Sequence, residues 1–117
     1  MKVLICGGRK YNSRIRVEAA IQEVILRECR TLTHIIHGGA SGADSCASDI
    51  ARLYGIQEVI CPANWNAHGK AAGPLRNQKM LELHPDYVIA MPGGKGTADT
   101  VMRAKAAGIP VYEVKDE

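Results

Sequence analysis

The chain has 117 residues, 46 % of them hydrophobic, with a formal net charge of +3 at pH 7, which is enough for one real hydrophobic core and too little for two. Its apolar stretches, such as VLIC and YVIAM, stop far short of the roughly 20 residues a bilayer crossing needs, and MKVLIC turns into GGRK too early for a secretory signal. One domain over residues 1–117, no membrane span and a cytoplasmic location are therefore expected, and the scattered basic residues permit an anionic ligand without singling out nucleic acid.

In chain order, KVLIC (2–6) reads as a strand and is followed by Gly7, Gly8 and Arg9. Val17, Ile21, Val24, Ile25 and Cys29 then recur at helical spacing after an Asn12-Ser13 pair suited to capping, which predicts a helix over about 13–30. HIIH (34–37) is the second strand. Its flanking His34 and His37 read as structural, and the loop after it carries Gly38, Gly39, Ala40, Ser41 and Gly42. A second helix is predicted over about 42–54, with Asp44 at its start and Gly55 as its stop. QEVIC (57–61) is the third strand. The segment 62–73 reads as a long irregular loop that holds the only tryptophan, Trp65, and His68 as a surface histidine.

A third helix is predicted from Pro74, a residue favoured in a first turn, with Arg76 and Asn77 in that turn and His84 at its end. YVIAM (87–91) is the fourth strand and leads into Pro92, Gly93, Gly94, Lys95, Gly96 and Thr97; a fourth helix starts near Thr97 and stops at Gly108, and PVYEV (110–114) is the fifth strand. Near-continuous Val and Ile without polar alternation is the pattern of strands covered on both faces. Strand, helix, strand throughout predicts an α/β fold, a small doubly wound five-stranded parallel sheet flanked by four helices. Cys6, Cys29, Cys46 and Cys61 lie far apart with no CxxC or CxxH spacing, so reduced structural cysteines and no metal site are expected.

Eight of the twelve glycines fall in three clusters, at 7–8, 38–42 and 93–96, each after a strand and before a helix. In an open parallel sheet these turns lie on the carboxyl edge, where ligands bind, and each helix start offers amides without intrahelical partners. Lys95 and the Thr97 hydroxyl add donors of the kind that surround a phosphate, and Arg76 can hold a phosphate or sugar oxygen by parallel bonds. The competing reading is that tight turns simply need glycine. Neither GxxxxGK[ST] nor GxGxxG occurs, which disfavours ordinary ATPase and NAD sites. Trp65 is suited to stacking on a base, to walling off the crevice, or to pinning its loop.

The blocks CGGRKY, HGGASGAD, PANW, HGKAAGPLRNQKM and PGGKGTAD, in this order and spacing, resemble the YspA-type branch of the SLOG superfamily of Rossmann-like proteins. PGGKGT is also similar to the PGGxGT signature of the Lonely guy phosphoribohydrolases, and GGASGAD to the glycine-rich loop of DNA-processing protein A. The resemblance implies strand order 3-2-1-4-5, binding of nucleotides or nucleotide-derived molecules at the carboxyl edge with no further cofactor, and homodimers or larger homo-oligomers. The enzymatic relatives hydrolyse the N-glycosidic bond of a nucleoside 5′-monophosphate with a glutamate in PGGxGTxxE and an arginine. Here the glutamate position is Thr100, an acid lies one residue earlier at Asp99, and Arg76-Asn77 replaces an Arg-Lys pair.

Arg76 and Asp99 are accordingly the catalytic candidates. The ligand-binding candidates are Gly7, Gly8, Arg9, Gly38, Gly39, Ala40, Ser41, Gly42, Asp44, Trp65, Asn77, Pro92, Gly93, Gly94, Lys95, Gly96 and Thr97. Two functions compete: a nucleotide-ligand binder that also hydrolyses the N-glycosidic bond, and a non-catalytic sensor or sequestering protein. Asp44 and Asp99 are equally readable as acids favoured at helix N-termini. A single-stranded nucleic-acid module ranks behind both, because one tryptophan, four tyrosines and no phenylalanine offer few stacking platforms.

Overall fold

Along the first strand, β1 (Lys2–Cys6), Val3 and Ile5 belong to one apolar cluster and Leu4 and Cys6 to another, and all four are buried. A strand presents alternate residues to opposite faces, so two apolar sets mean that both faces are covered. The computed structural model describes residues 1–115; Asp116 and Glu117 of the expected 1–117 domain lie outside the described residues. After β1 come α1 (Arg14–Glu28), β2 (His34–His37), α2 (Ala43–Tyr54), β3 (Gln57–Ile60), α3 (Trp65–His68), a 3-10 turn (Gly69–Ala71), α4 (Ala72–Glu82), β4 (Tyr87–Ala90), α5 (Lys95–Ala106) and β5 (Val111–Glu113).

One cluster joins Val3, Ile5, Ile35, Tyr87 and Ile89 to α1 through Val17, Ile21 and Val24, and to α2 through Ala47 and Ile50. The other joins Leu4, Cys6, Ile36, Val88 and Ala90 to Met80 and Leu81 of α4 and to Val101 and Ala104 of α5. The strands are all parallel in the order β3-β2-β1-β4-β5, as the resemblance implied. Val3 stands opposite Ile35 on one side and Tyr87 on the other. The chain leaves β1 toward β2 and later returns to β4 on β1's other flank. The loops after β1 and β4 therefore diverge at the carboxyl edge, and a crevice opens between them.

Several element boundaries differ from expectation, each for a local reason. Ser13 caps α1 by accepting from the Arg16 amide, as expected, but the helix stops at Glu28 because Cys29 turns left-handed (φ 51°). The segment expected to be an irregular loop contains α3, capped by the Asn64 side chain, and the 3-10 turn. The helix α4 starts at Ala72, two residues before Pro74. Proline's missing N–H would have no partner anywhere in a first turn, so it is tolerated at the third position as well. This moves Arg76 and Asn77 into the second turn. Helix α5 likewise starts at Lys95 rather than Thr97. The edge strands are less covered than the centre, with Ile60 at the end of β3 48 % exposed. No helix among the described residues is long and apolar enough to cross a membrane.

Candidate functional site

The three glycine loops are hydrogen-bonded to one another at the carboxyl edge. The Gly8 amide donates to the Pro92 carbonyl (2.9 Å), and the Gly8 carbonyl accepts from the first amide of α2, that of Ala43 (3.1 Å). The Ser41 hydroxyl donates to the Arg9 carbonyl (3.1 Å). This close approach explains several glycines. A Cβ on Gly7 would stand 2.6 Å from the Cβ of Ala43, one on Gly93 would stand 2.7 Å from the Gly8 nitrogen, and Gly42 has a left-handed φ of 80° beneath the Gly8 and Arg9 carbonyls. Gly42, Pro92 and Gly93 hold the loops together and line no part of the crevice. Gly94 and Gly96 differ: beyond its chain neighbours and its own helix, a Cβ on either would meet no atom of the described residues within 4 Å, neither has a positive φ, and both line the crevice.

The crevice has a volume of about 640 Å³. The loop after β1 contributes Gly7, Gly8 and Arg9 to it, and the loop after β2 contributes Ala40, with Asp44 just inside α2. Trp65 closes one side, Arg76 and Asn77 enter from α4, and Gly94 to Thr97 with Asp99 and Thr100 enter from the start of α5. Beside it lies a smaller compartment of about 290 Å³, lined by Gly38, Gly39, Ser41, Pro62 and Ala63 and sharing Arg9, Ala40, Trp65 and Arg76 with the larger one. Trp65 is 49 % exposed, so it stands at the boundary and is not a core anchor. The Arg9 guanidinium lies over its ring, 5.7 Å from the centroid.

The polar groups divide into those already engaged and those left open. Asp44, buried, accepts from the Gly38 and Ala40 amides (3.1 and 3.2 Å) and so braces the loop that precedes it. Burial raises its pKa, and the Ala40 amide, His37 and Arg76 pull it part of the way back. Asp99 accepts from Arg103 Nε (2.8 Å) and Asn77 Nδ2 (3.0 Å). The buried Thr100 hydroxyl donates to the Gly96 carbonyl (3.2 Å). Arg76 donates from Nη1 to the Gly38 carbonyl and from Nε to Asn77 Oδ1, both at 3.0 Å. Helix α5 has no side-chain cap, so the amides of its first turn stay open to the crevice. Lys95 and Thr97 have no side-chain hydrogen-bond or ion-pair partner among the described residues. The uncommitted charge of the crevice is thus positive, and the dipole of α5 adds to it.

Five residues lining the larger compartment, Cys6, Gly73, Pro74, Met80 and Thr100, were not among the sequence candidates. Cys6 ends β1 beneath the crevice, and burial pushes its thiol up to about 12, so it stays protonated and inert. His37, at the end of β2, is a structural residue of the site: its Nδ1 accepts from the Gly39 amide (3.0 Å) and its Nε2 lies 2.6 Å from Glu58. An accepting Nδ1 puts the proton on Nε2, facing the carboxylate. His37 stands directly before the glycine loop in the sequence, but only the pairing of β2 with β3 brings Glu58 to it. Among the described residues no group of His, Cys, Asp and Glu is arranged to hold a metal.

Comparison with known proteins agrees with this architecture. The chain is 35 % identical over 123 residues to the Gene 61 protein of Mycobacterium phage D29, covering 99 % of this chain and 98 % of that one. Its fold is similar to the X-ray structure of TM1055, with a TM-score of 0.66 at 19 % identity over 95 % of this chain and 72 % of that one. Residues 1–68, from β1 through α3 and so including two of the three glycine loops, match the YspA, cpYpsA-related SLOG family. With that match over more than half its length, the chain belongs to the YspA, cpYpsA-related SLOG family.

Proposed function

We propose that the crevice binds a phosphorylated, nucleotide-derived small molecule without cleaving it, so that the protein acts as a cytoplasmic sensor or sequestering protein. One observation carries this reading: the groups left open in the crevice are cations and donors, while both carboxylates are engaged. A phosphate would sit against the open amides of α5, Lys95 and Thr97, where a helix start favours negative charge. Cleavage of an N-glycosidic bond develops positive charge on the sugar, and an unpaired anion nearby stabilises it. Asp99 is neutralised by Arg103, and Thr100 carries no charge.

A second reading, hydrolysis of a nucleoside 5′-monophosphate, is favoured by Asp99 itself, which lines the crevice while only its Oδ2 is engaged. Self-association is part of the proposal on family grounds, and exposed Ile15, Leu26, Leu53 and Met102 offer apolar surface for a second copy. The test is a panel of nucleoside phosphates scored for melting temperature and for released base. A ligand at a hundredfold excess over its Kd should stabilise the fold by about 2.7 kcal/mol, or about 10 °C for a domain of this size. Stabilisation without base release supports the sensor; base release replaces it with the hydrolase; no stabilisation by any member overturns both.

A further inference from the structure

The two compartments differ in the charges that face them. Lys95 and Thr97 line only the larger one. Among the described residues, the charged ones lining the smaller compartment are Arg9 and Arg76, both cationic, and no carboxylate lines it. Arg76 holds the Gly38 carbonyl and Asn77 with two of its nitrogens, which fixes the guanidinium and leaves Nη2 without a partner among the described residues. Arg9 has no acceptor of its own among the described residues and rests over the ring of Trp65. Arg76, fixed by two hydrogen bonds, and the exposed Arg9, neither in an ion pair with a carboxylate among the described residues, form a receptor for a phosphoryl group, which takes parallel bonds from such planar donors. A contact with a half-exposed indole is weak enough to yield to a phosphate.

We infer that the site takes a nucleotide bearing two phosphoryl groups, one against Lys95, Thr97 and the first turn of α5, the other between Arg9 and Arg76 beside Trp65. This rests on the nucleotide reading above and narrows it. A 5′-monophosphate occupies one position and leaves the cations of the other unneutralised. A 3′,5′-bisphosphate places its groups on two sides of one sugar, and a 5′-diphosphate places them in series; either chemistry supplies the second phosphoryl.

Calorimetric titration of the four nucleoside 5′-monophosphates, 5′-diphosphates and 3′,5′-bisphosphates at fixed ionic strength tests this. Emission from Trp65, the only tryptophan, reports on the boundary between the compartments. For the preferred base, the bisphosphate or the diphosphate should bind at least tenfold more tightly than the monophosphate and change Trp65 emission more; whichever does so identifies the source of the second phosphoryl. Arg9→Ala should reduce that advantage to less than threefold. Lys95→Ala should weaken the monophosphate and the doubly phosphorylated ligand by similar factors and preserve it. Equal affinities in the unmutated protein, or an advantage that survives Arg9→Ala, would overturn the two-position site while leaving the nucleotide reading intact. Binding by no member of the panel removes both.

Discussion

Gly96 is the second residue of α5, a place where glycine is about 0.5–1 kcal/mol worse than alanine for a helix interior and somewhat less at its end. Nothing among the described residues requires it, since its φ is not positive and an added Cβ would meet no atom within 4 Å beyond its chain neighbours and its own helix. The clearance makes sense if a ligand backs onto the helix start. Gly96→Ala is therefore expected to act in opposite directions: a rise of up to about 0.5 kcal/mol in the unliganded protein's stability to urea, and a loss of tenfold or more in affinity for phosphorylated ligands. Unchanged affinity would move the ligand away from α5. Gly93→Ala provides the contrast, because its Cβ would press on the Gly8 backbone and destabilise the protein with no ligand present. In the sequence the glycines of PGGKGT look alike. What separates Gly93 from Gly96 is the loop after β1, which arrives from more than eighty residues earlier.

At the scale of elements, α4 and α5 are joined by a polar brace that ends in the crevice. Arg76 holds Asn77, Asn77 donates to Asp99 and to the Gly96 carbonyl, Asp99 accepts from Arg103, and Arg103 donates to Gln78 back on α4. The Asp99–Arg103 spacing is i,i+4, the favourable order for a helix pair, and was visible in the sequence. Asn77 was not, because it comes from another helix. Asp99→Asn keeps the shape and removes the charge, so a loss of about 1 kcal/mol of stability is expected for this half-buried pair, measured by urea unfolding. A variant as stable as the parent would show that the charge of Asp99 contributes nothing to the brace. The same variant should lose all base release if the hydrolytic reading holds. Arg76 was expected in a first turn and sits in a second; the two residues of helix before Pro74 were hidden because proline is so strong a start signal.

For the molecule as a whole, unbroken apolar strands were enough to anticipate a sheet covered on both faces. The 3-2-1-4-5 order came from the resemblance alone, since no residue pattern distinguishes it from other parallel orders. What the sequence concealed was the state of its carboxylates, and these set the response to acid. Glu58, held by Ser48 and His37 with Arg52 nearby, titrates below its ordinary 4.5, and Asp86, held by the Lys2 amide and Arg30, titrates below its ordinary 3.8. Lowered folded values mean that the stability these groups contribute is present above the unfolded pKa and is lost as pH falls through the folded one. Asp44 has the opposite sign: burial raises its pKa, so its ionised form disfavours the fold at neutral pH and acidification relieves this first. Stability to urea between about pH 8 and pH 3 should thus rise slightly on mild acidification, then fall below about pH 4. Asp44→Asn keeps an oxygen to accept from the Gly38 and Ala40 amides and has no charge to bury. It should remove the mild rise and leave the acid fall, so that its stability relative to the parent is greater at pH 7 than at pH 4. A variant whose profile runs parallel to the parent's at every pH would show that the buried carboxylate contributes nothing to the fold's pH dependence, and the acid response would then rest on Glu58 of the edge strand β3 and Asp86 just before β4.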